Sequence, residues 1–173
     1  MELIGSQRVF QGKAFDVRVD QLRRPDGRVS RVEVVEHVGA VALLPLDAQG
    51  RIWFVRQYRH PAGRRLLELP AGTLEPGEPP EACARRECRE EIGMAAGRLE
   101  RLGGFYLAPG YSTEYLQVFL ASELEPAPLP GDEDEQLEIV RLEPQRALEG
   151  VQRGEVEDAK SLAALLLALP RLR

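Results

Sequence analysis

Residues 72–94 read GTLEPGEPPEACARRECREEIGM and combine a glycine turn, a helix and clustered carboxylates. Pro79-Pro80 suits a first helical turn, where a missing N–H costs little, and Gly93 suits the helix C-terminus. Oxygen-rich clusters are hard ligands that suit Mg²⁺ or Mn²⁺ bound beside substrate phosphates. A helix over 81–92 places three glutamates on one face, at i, i+3 and i+4: Glu87, Glu90 and Glu91.

A charge run on a helix is more often a solvated face than a ligand set. Here the pattern extends beyond the helix, because Gly72 and Glu78 precede Arg86 and Glu87 at fixed offsets. The whole stretch reads G-x5-E-x7-R-E-x-x-E-E-x-G, with seven specified positions. So many constraints in so short a stretch favour a divalent-cation site over a solvated surface.

Length and charge narrow the class of protein. A chain of 173 residues is long enough for one domain with a sizeable core. Its net charge of −5 and pI of about 5.2 argue against partners that are nucleic acids or acidic membranes. The apolar run 162–169 is too short to span a bilayer, and no signal peptide is visible. Cys83 and Cys88 are predicted to be buried free thiols in a reducing cytosol, so the expected location is the cytoplasm.

Alternation and turn residues predict a mixed α/β fold. The first part is rich in strands, and two helices near the end follow the glutamate helix. Residues 123–136 are rich in proline and acid and are predicted to be a loop. The helices are expected at 144–150 and 158–169, the second with an apolar face at Leu162, Leu165, Leu166 and Leu169. The strands are expected at 8–10, 15–24, 29–37, 39–46, 52–58, 99–108, 114–122 and 137–142.

The pattern at 72–94 resembles the Nudix box of Mg²⁺-dependent hydrolases. The resemblance extends from about Phe15 to Lys160, and several stretches are similar to the ADP-ribose pyrophosphatase branch: VRQYRHP at 55–61, LELPAG at 67–72 and APGYSTE at 108–114. It implies one Nudix domain over 1–173, an α/β/α sandwich with a mixed curved sheet. An N-terminal antiparallel strand region (1–38) would precede a catalytic core (39–173).

The resemblance also implies unequal roles for the box residues. Glu87 and Glu91 would be the principal metal ligands, with Glu90 close by and the backbone carbonyl of Ala71 contributing. Glu78 would act as support by bonding Arg86. Two glycines of the pattern, Gly72 and Gly93, would have structural roles.

A catalytic base would come from a separate loop, for which GDEDEQLE at 131–138 is the candidate. Glu135 is the first choice and Glu133 the second, although acidic loops are usually solvated. In this family the base can also come from the box, which keeps Glu90 as a candidate.

Substrate contacts are less strongly indicated. Strand alternation places Arg56 and Arg59 on opposite faces, and Arg59 is preferred as the diphosphate clamp, with a structural ion pair as the alternative for Arg56. Glu114 could reach the terminal ribose or a metal, or be a strand-edge carboxylate without a binding role. His37 is a candidate contact, though such a histidine more often has a core or hinge role. Three aromatic residues could stack on adenine or belong to the core: Phe15, Tyr106 and Tyr111.

The resemblance implies hydrolysis of a nucleoside diphosphate sugar, with ADP-ribose giving AMP and ribose 5-phosphate. GDP-mannose, another nucleotide sugar or FAD is the enzymatic alternative. A non-catalytic nucleotide-sugar sensor is the alternative from another class, although the box is intact. The resemblance further implies a homodimer that exchanges N-terminal strands (8–37).

Overall fold

The structure is a computed structural model that describes residues 1–131 and 136–172. The described chain forms ten strands and three α-helices, which confirms the predicted α/β class. The helices are α1 (Pro80–Glu91), α2 (Pro144–Gln152) and α3 (Ala159–Ala168). The strands are β1 (Glu2–Gln11), β2 (Asp16–Arg23), β3 (Val29–Glu36), β4 (Ala40–Pro45), β5 (Ile52–Arg59), β6 (Arg64–Glu68), β7 (Ala71–Thr73), β8 (Met94–Tyr106), β9 (Tyr115–Pro126) and β10 (Glu138–Leu142).

The chain divides into two compact units. The first comprises Met1–Gly39 with Phe105–Leu116, and the second comprises Ala40–Gly104 with Gln117–Arg173. The first division falls one residue after the predicted end of the N-terminal strands, whereas the grouping of 105–116 with those strands was not predicted. The assignment of one functional domain to 1–173 stays a prediction.

The first unit is built on the antiparallel sheet β1-β2-β3. Gly27, with a φ of +83°, closes the predicted turn between β2 and β3, because this backbone conformation favours glycine. Nearly every residue of β1 is exposed. A strand without a buried face lacks the alternation that marks a strand in sequence, so only 8–10 of β1 were predicted.

The second unit contains the sheets β7-β4-β9-β8 and β10-β5-β6. Strand β4 is buried along its whole length, as its continuous apolar sequence predicts. Val41 and Leu43 pack in one core cluster with Cys83 and Cys88 of α1. Alternate residues of β4 point to the opposite face, and α3 also packs against β4. We infer that α1 and α3 cover opposite faces of this sheet, in agreement with the sandwich that the resemblance implies.

Helix α1 matches its prediction to within one residue at each end. Pro79 is the extended N-cap residue, with φ −65° and ψ 140°. Gly93 has a φ of +70°, which allows the chain to leave the helix and enter β8 at once. The predicted start of this strand at 99 was therefore wrong by five residues. The predicted loop over 123–136 also begins too early, because β9 continues to Pro126.

Helix α3 buries only part of the predicted apolar face: Leu165 is buried, whereas two of the other predicted leucines are exposed. Leu166 is 67% exposed and Leu169 is 37% exposed. Its sequence AKSLAALLLA is apolar nearly all round, so periodicity alone does not select a face. The residues that α3 buries mostly have small side chains: Ser161, Ala164, Leu165 and Ala168. Within the part of the chain that the structure describes, no helix is long and apolar enough to cross a membrane.

Candidate active site

The carboxylate of Glu87 lies directly against the backbone of Gly72. A Cβ built on Gly72 would be 1.8 Å from Oε1 of Glu87, so only glycine leaves room for this carboxylate. Glu87 is 8% exposed, projecting from α1 toward β7. The sequence pattern therefore contains Gly72 for a steric reason, because α1 and β7 approach each other around a buried acidic group.

Arg86 connects the acidic side chains of the pattern. Its Nη1 donates to Glu87 Oε1 at 2.6 Å and to Glu90 Oε2 at 2.8 Å. Its Nε and Nη2 donate to the two oxygens of Glu78, both at 3.0 Å, and Nη2 also donates to the Thr73 carbonyl at 3.2 Å. One guanidinium therefore holds three carboxylates together and ties the loop before α1 to the helix.

Glu78 is the carboxylate that Arg86 perturbs most clearly. The Arg86 hydrogen bonds lower the pKa of Glu78 to about 2, against the opposing effect of burial, and the backbone N–H of Glu75 lowers it further. The same contacts raise the pKa of Arg86, chiefly through Glu78. Glu78 therefore stays ionised over the whole physiological range, which suits a supporting role rather than proton transfer.

This pairing predicts a pH-dependent stability in the metal-free protein. Because the folded pKa of Glu78 lies below the unfolded value, the stabilisation is complete above about pH 4.5 and is lost as the pH falls toward 2. In urea unfolding with EDTA, the stability difference between wild type and Glu78→Gln should be about 2 kcal/mol smaller at pH 3 than at pH 7. Glu81→Gln, at an exposed position of α1, is the control. A difference independent of pH would contradict the assignment.

Glu91 lies one turn further along α1 and meets the start of β7. Its Oε2 accepts a hydrogen bond from the backbone N–H of Ala71 at 3.0 Å, and the residue is 7% exposed. Ala71 pairs with Ala42 of β4, so the bond fixes Glu91 to the sheet. The structure thus brings Glu87 and Glu91 against β7, and Arg86 links Glu90 to Glu87.

The donor set fits a hard divalent cation. Two glutamates of α1 are nearly buried, where an ionised carboxylate is costly without a compensating charge. The cleared space over Gly72 holds a carboxylate rather than an apolar side chain. As they stand, bonded to Arg86 and Ala71, the carboxylates over 1–131 and 136–172 form no closed cluster of three or more metal-ligating side chains. Their oxygen chemistry nevertheless suits Mg²⁺ or Mn²⁺.

Arg59 lies at the end of β5 and is held by a buried carboxylate. Its Nε and Nη2 donate to the two oxygens of Glu68, at 2.9 and 2.8 Å. Lys160 of α3 contacts the same carboxylate. Glu68 is 2% exposed, and although burial favours its neutral form, the two cations hold its pKa below the usual value.

Arg56 makes a looser contact than Arg59. Its Nη1 lies 3.6 Å from Oε1 of Glu138 on the neighbouring strand β10, and both side chains are largely exposed. An exposed ion pair of this kind contributes little to stability. Arg56 thus forms an exposed ion pair, and its role in substrate binding stays a prediction.

His37 and Glu114 belong to the first unit. The Nδ1 of His37 accepts from the backbone N–H of Gly39 at 3.0 Å, and its own backbone N–H donates to Thr113 Oγ1 at 2.9 Å. Glu114 is half-buried, and its backbone bonds Ser112 and Leu107. The aromatic candidates do not belong to a core, because 44%, 57% and 62% of their surfaces are exposed, respectively: Phe15, Tyr106 and Tyr111.

Two base candidates, Glu133 and Glu135, lie outside the described residues. Of the base candidates, only Glu90 is described, and it is bonded to Arg86.

Sequence reasoning did not single out Glu68 or Lys160. A carboxylate inside the apolar run LLELPA was one available signal, because a buried acid needs partners. The rarity of lysine was another, since Lys160 is one of two lysines among 23 basic residues.

The chain is similar to known proteins along most of its length. The family described as "NUDIX domain" matches residues 36–165. An ADP-ribose pyrophosphatase of Bacillus subtilis (strain 168) is 42% identical over 166 residues, which cover 94% of this chain and 89% of that protein. A GDP-mannose pyrophosphatase of Enterobacter sp. (strain 638) is 34% identical over 137 residues, which cover 73% of this chain and 71% of that protein.

A solved structure has the same fold. The crystal structure of an ADP compounds hydrolase matches with a TM-score of 0.87 and 24% identity, over 99% of this chain and 93% of that one. This similarity confirms the predicted fold class.

Proposed function

The chain belongs to the NUDIX domain family, and from this premise we propose that it hydrolyses the diphosphate bond of ADP-ribose to AMP and ribose 5-phosphate. The main supporting observation is the pair of nearly buried carboxylates, Glu87 and Glu91. Glu87 lies in the space over Gly72, and Glu91 accepts a hydrogen bond from the N–H of Ala71, so both lie against β7. Similarity to an ADP-ribose pyrophosphatase over 94% of the chain supports the choice of substrate.

Glu87 and Glu91, with Glu90 and the Ala71 carbonyl, would hold the divalent cation. A bound cation neutralises phosphoryl oxygens and lowers the pKa of a bound water. Mg²⁺ is the proposed ion and Mn²⁺ the alternative. Arg59 orients the diphosphate through charge-assisted hydrogen bonds, which are geometrically specific for a planar guanidinium.

Hydrolysis attaches a water oxygen to one phosphorus and breaks the anhydride P–O bond, so that each product carries a phosphate monoester. A glutamate removes the proton of the attacking water. We assign this role to Glu135, with Glu133 and Glu90 as alternatives. Glu78, whose pKa Arg86 lowers to about 2, is too weak a base for this step and is assigned a supporting role.

His37 is a proposed substrate contact, and Glu114 is proposed to contact the terminal ribose or a metal. The exposed aromatic side chains of the first unit are available for stacking on adenine. Exposure of nearly all of β1 supports a homodimer that covers this strand with N-terminal strands of a second copy. The acidic chain is proposed to act in the cytoplasm, without nucleic-acid or membrane partners.

GDP-mannose hydrolysis is the second candidate function. The similarity to a GDP-mannose pyrophosphatase supports the same chemistry with a different base. That similarity covers 73% of the chain, against 94% for the ADP-ribose pyrophosphatase, and the lower identity also favours ADP-ribose. FAD, another nucleotide sugar and a non-catalytic sensor are further alternatives.

A substrate panel tests this proposal. With Mg²⁺ and separately Mn²⁺, ADP-ribose should give a kcat/KM at least about tenfold above that of GDP-mannose, UDP-glucose or FAD, which corresponds to about 1.4 kcal/mol of transition-state binding. Products are identified as AMP and ribose 5-phosphate by chromatography. A preference for GDP-mannose would select the second candidate, and binding without turnover of any compound would select the sensor.

A further inference from the structure

A largely buried group of charged and polar residues connects α3 to the end of β6. We call Glu68, Asp158, Lys160 and Ser161 the α3 clamp. Lys160 bridges the Glu68 carboxylate and Oδ1 of Asp158, the second at 2.8 Å. Oδ1 of Asp158 also accepts from the backbone N–H of Ser161 at 3.1 Å and so caps the helix. The clamp is thus anchored at the first turn of α3.

The α3 clamp also contacts the segment that leads into β7, the strand beside the proposed metal ligands. Oγ of Ser161 accepts from the backbone N–H of Leu69 at 2.7 Å, directly after Glu68. The next two residues are also fixed, because the Pro70 carbonyl accepts from Leu43 at 2.8 Å and the Ala71 N–H donates to Glu91. Four consecutive residues, 68–71, therefore have defined partners on α3, β4 or α1.

Stability alone does not account for the clamp. Replacing a buried ion pair by apolar residues of similar volume is often neutral or stabilising. The two cations that contact Glu68 differ in their exposure to solvent. The Lys160 side chain is 13% exposed, whereas that of Arg59 is 38% exposed. Glu68 thus links the largely buried Lys160 to Arg59, which is held by two hydrogen bonds and still reaches solvent.

Anchoring matters for an arginine that binds phosphate. An unrestrained arginine loses about 2 kcal/mol of rotamer entropy when it is immobilised. Two parallel bonds from Glu68 set the plane of the Arg59 guanidinium before substrate arrives. Preorganisation of this kind improves affinity by reducing the cost of ordering.

We propose that Glu68 and Lys160 are positioning residues, which orient Arg59 for the substrate diphosphate. The inference rests on the proposed function for the identity of the substrate. Lys160 keeps Glu68 charged and in place, and Glu68 acts on the substrate only through Arg59. The α3 helix therefore contributes to substrate affinity from behind the site.

The first test compares binding and turnover in single variants. Glu68→Gln should raise KM, and the Kd for ADP-ribose measured by calorimetry in EDTA, about tenfold, because a charge-assisted contact is lost. Its kcat with Mg²⁺ should stay within about threefold, as expected for binding energy shared by ground and transition states. Lys160→Met should act in the same direction, and Lys160→Arg should retain the wild-type KM.

Asp47→Asn is the matched control. Asp47 is another nearly buried carboxylate, which accepts from Arg51 and from the Trp53 indole at 2.9 Å, at the turn between β4 and β5. The two variants make the same carboxylate-to-amide change. Asp47→Asn should lower stability without changing KM, which separates a general loss of a buried charge from a positioning effect.

The second test is a double-mutant cycle. In an Arg59→Met background, Glu68→Gln should change KM less than about twofold, because the residue through which it acts is gone. An equal rise of KM in both backgrounds overturns the proposal, as does an unchanged KM in both folded Glu68→Gln and Lys160→Met. Wild-type protein that turns over no nucleotide sugar would instead refute the proposed function.

Discussion

Glu91→Gln is expected to lower kcat/KM for ADP-ribose by about two to three orders of magnitude, in the range seen when one electrostatic catalytic group is removed. The amide keeps an oxygen that can accept from the N–H of Ala71, so the contact between α1 and β7 survives. It loses the negative charge that a divalent cation requires from this donor. Steady-state kinetics over a range of Mg²⁺ concentrations measures the effect, and urea unfolding in EDTA verifies the fold.

Glu81→Gln provides the control for a charge change on the same helix. Glu81 lies exposed in the first turn of α1, away from the buried face. Its replacement should leave kcat and the Mg²⁺ dependence within about twofold, because an exposed charge contributes little. Near-normal turnover of Glu91→Gln at every Mg²⁺ concentration would refute the metal-ligand assignment.

Gly72→Ala is expected to reduce kcat about 100-fold, since misplacement of a reactive group by about 1 Å can have an effect of this size. The added methyl group would overlap the Glu87 carboxylate, which lies 1.8 Å from the ideal Cβ position. That carboxylate is the end of a flexible side chain and can move, so the fold should survive while a metal ligand is displaced. Kinetics and calorimetric titration of Mg²⁺ should both show the loss.

Gly150→Ala is the matched control for this substitution. A Cβ on Gly150 of α2 would lie 3.5 Å from Arg146 Nη1 and 3.6 Å from Cγ2 of Val156, which are ordinary contacts. It should therefore retain wild-type turnover. If Gly72→Ala binds Mg²⁺ and turns over like wild type, the gap over Gly72 has no part in holding the cation.

The local features of the fold were predictable from sequence. The proline start and glycine end of α1 act within a few residues, so its bounds were predicted closely. The two-sided burial of β4 followed from its apolar run. Strands β6 and β7 were not predicted. Strand β7 has three residues and is defined by its pairing with β4 rather than by its own sequence pattern.

The candidate site, like the fold, was predictable from sequence only where its residues lie close together along the chain. Spacing along one helix was enough to group Glu87, Glu90 and Glu91. The partners of Glu68 could not be read from spacing, since Lys160 lies 92 positions later and meets it only through tertiary packing. The buried face of α3 was predicted only in part for a related reason, because tertiary packing rather than periodicity selects it.

The two buried thiols of α1 provide a chemical probe for the opening of this helix. Cys83 and Cys88 are the only cysteines of the chain, both are fully buried, and burial raises the pKa of each to about 12. A labelling reagent reacts with the thiolate, so modification at neutral pH requires α1 to open first. The labelling rate of the unaltered protein therefore measures how often this helix opens. A cation that binds the closed form should lower that rate.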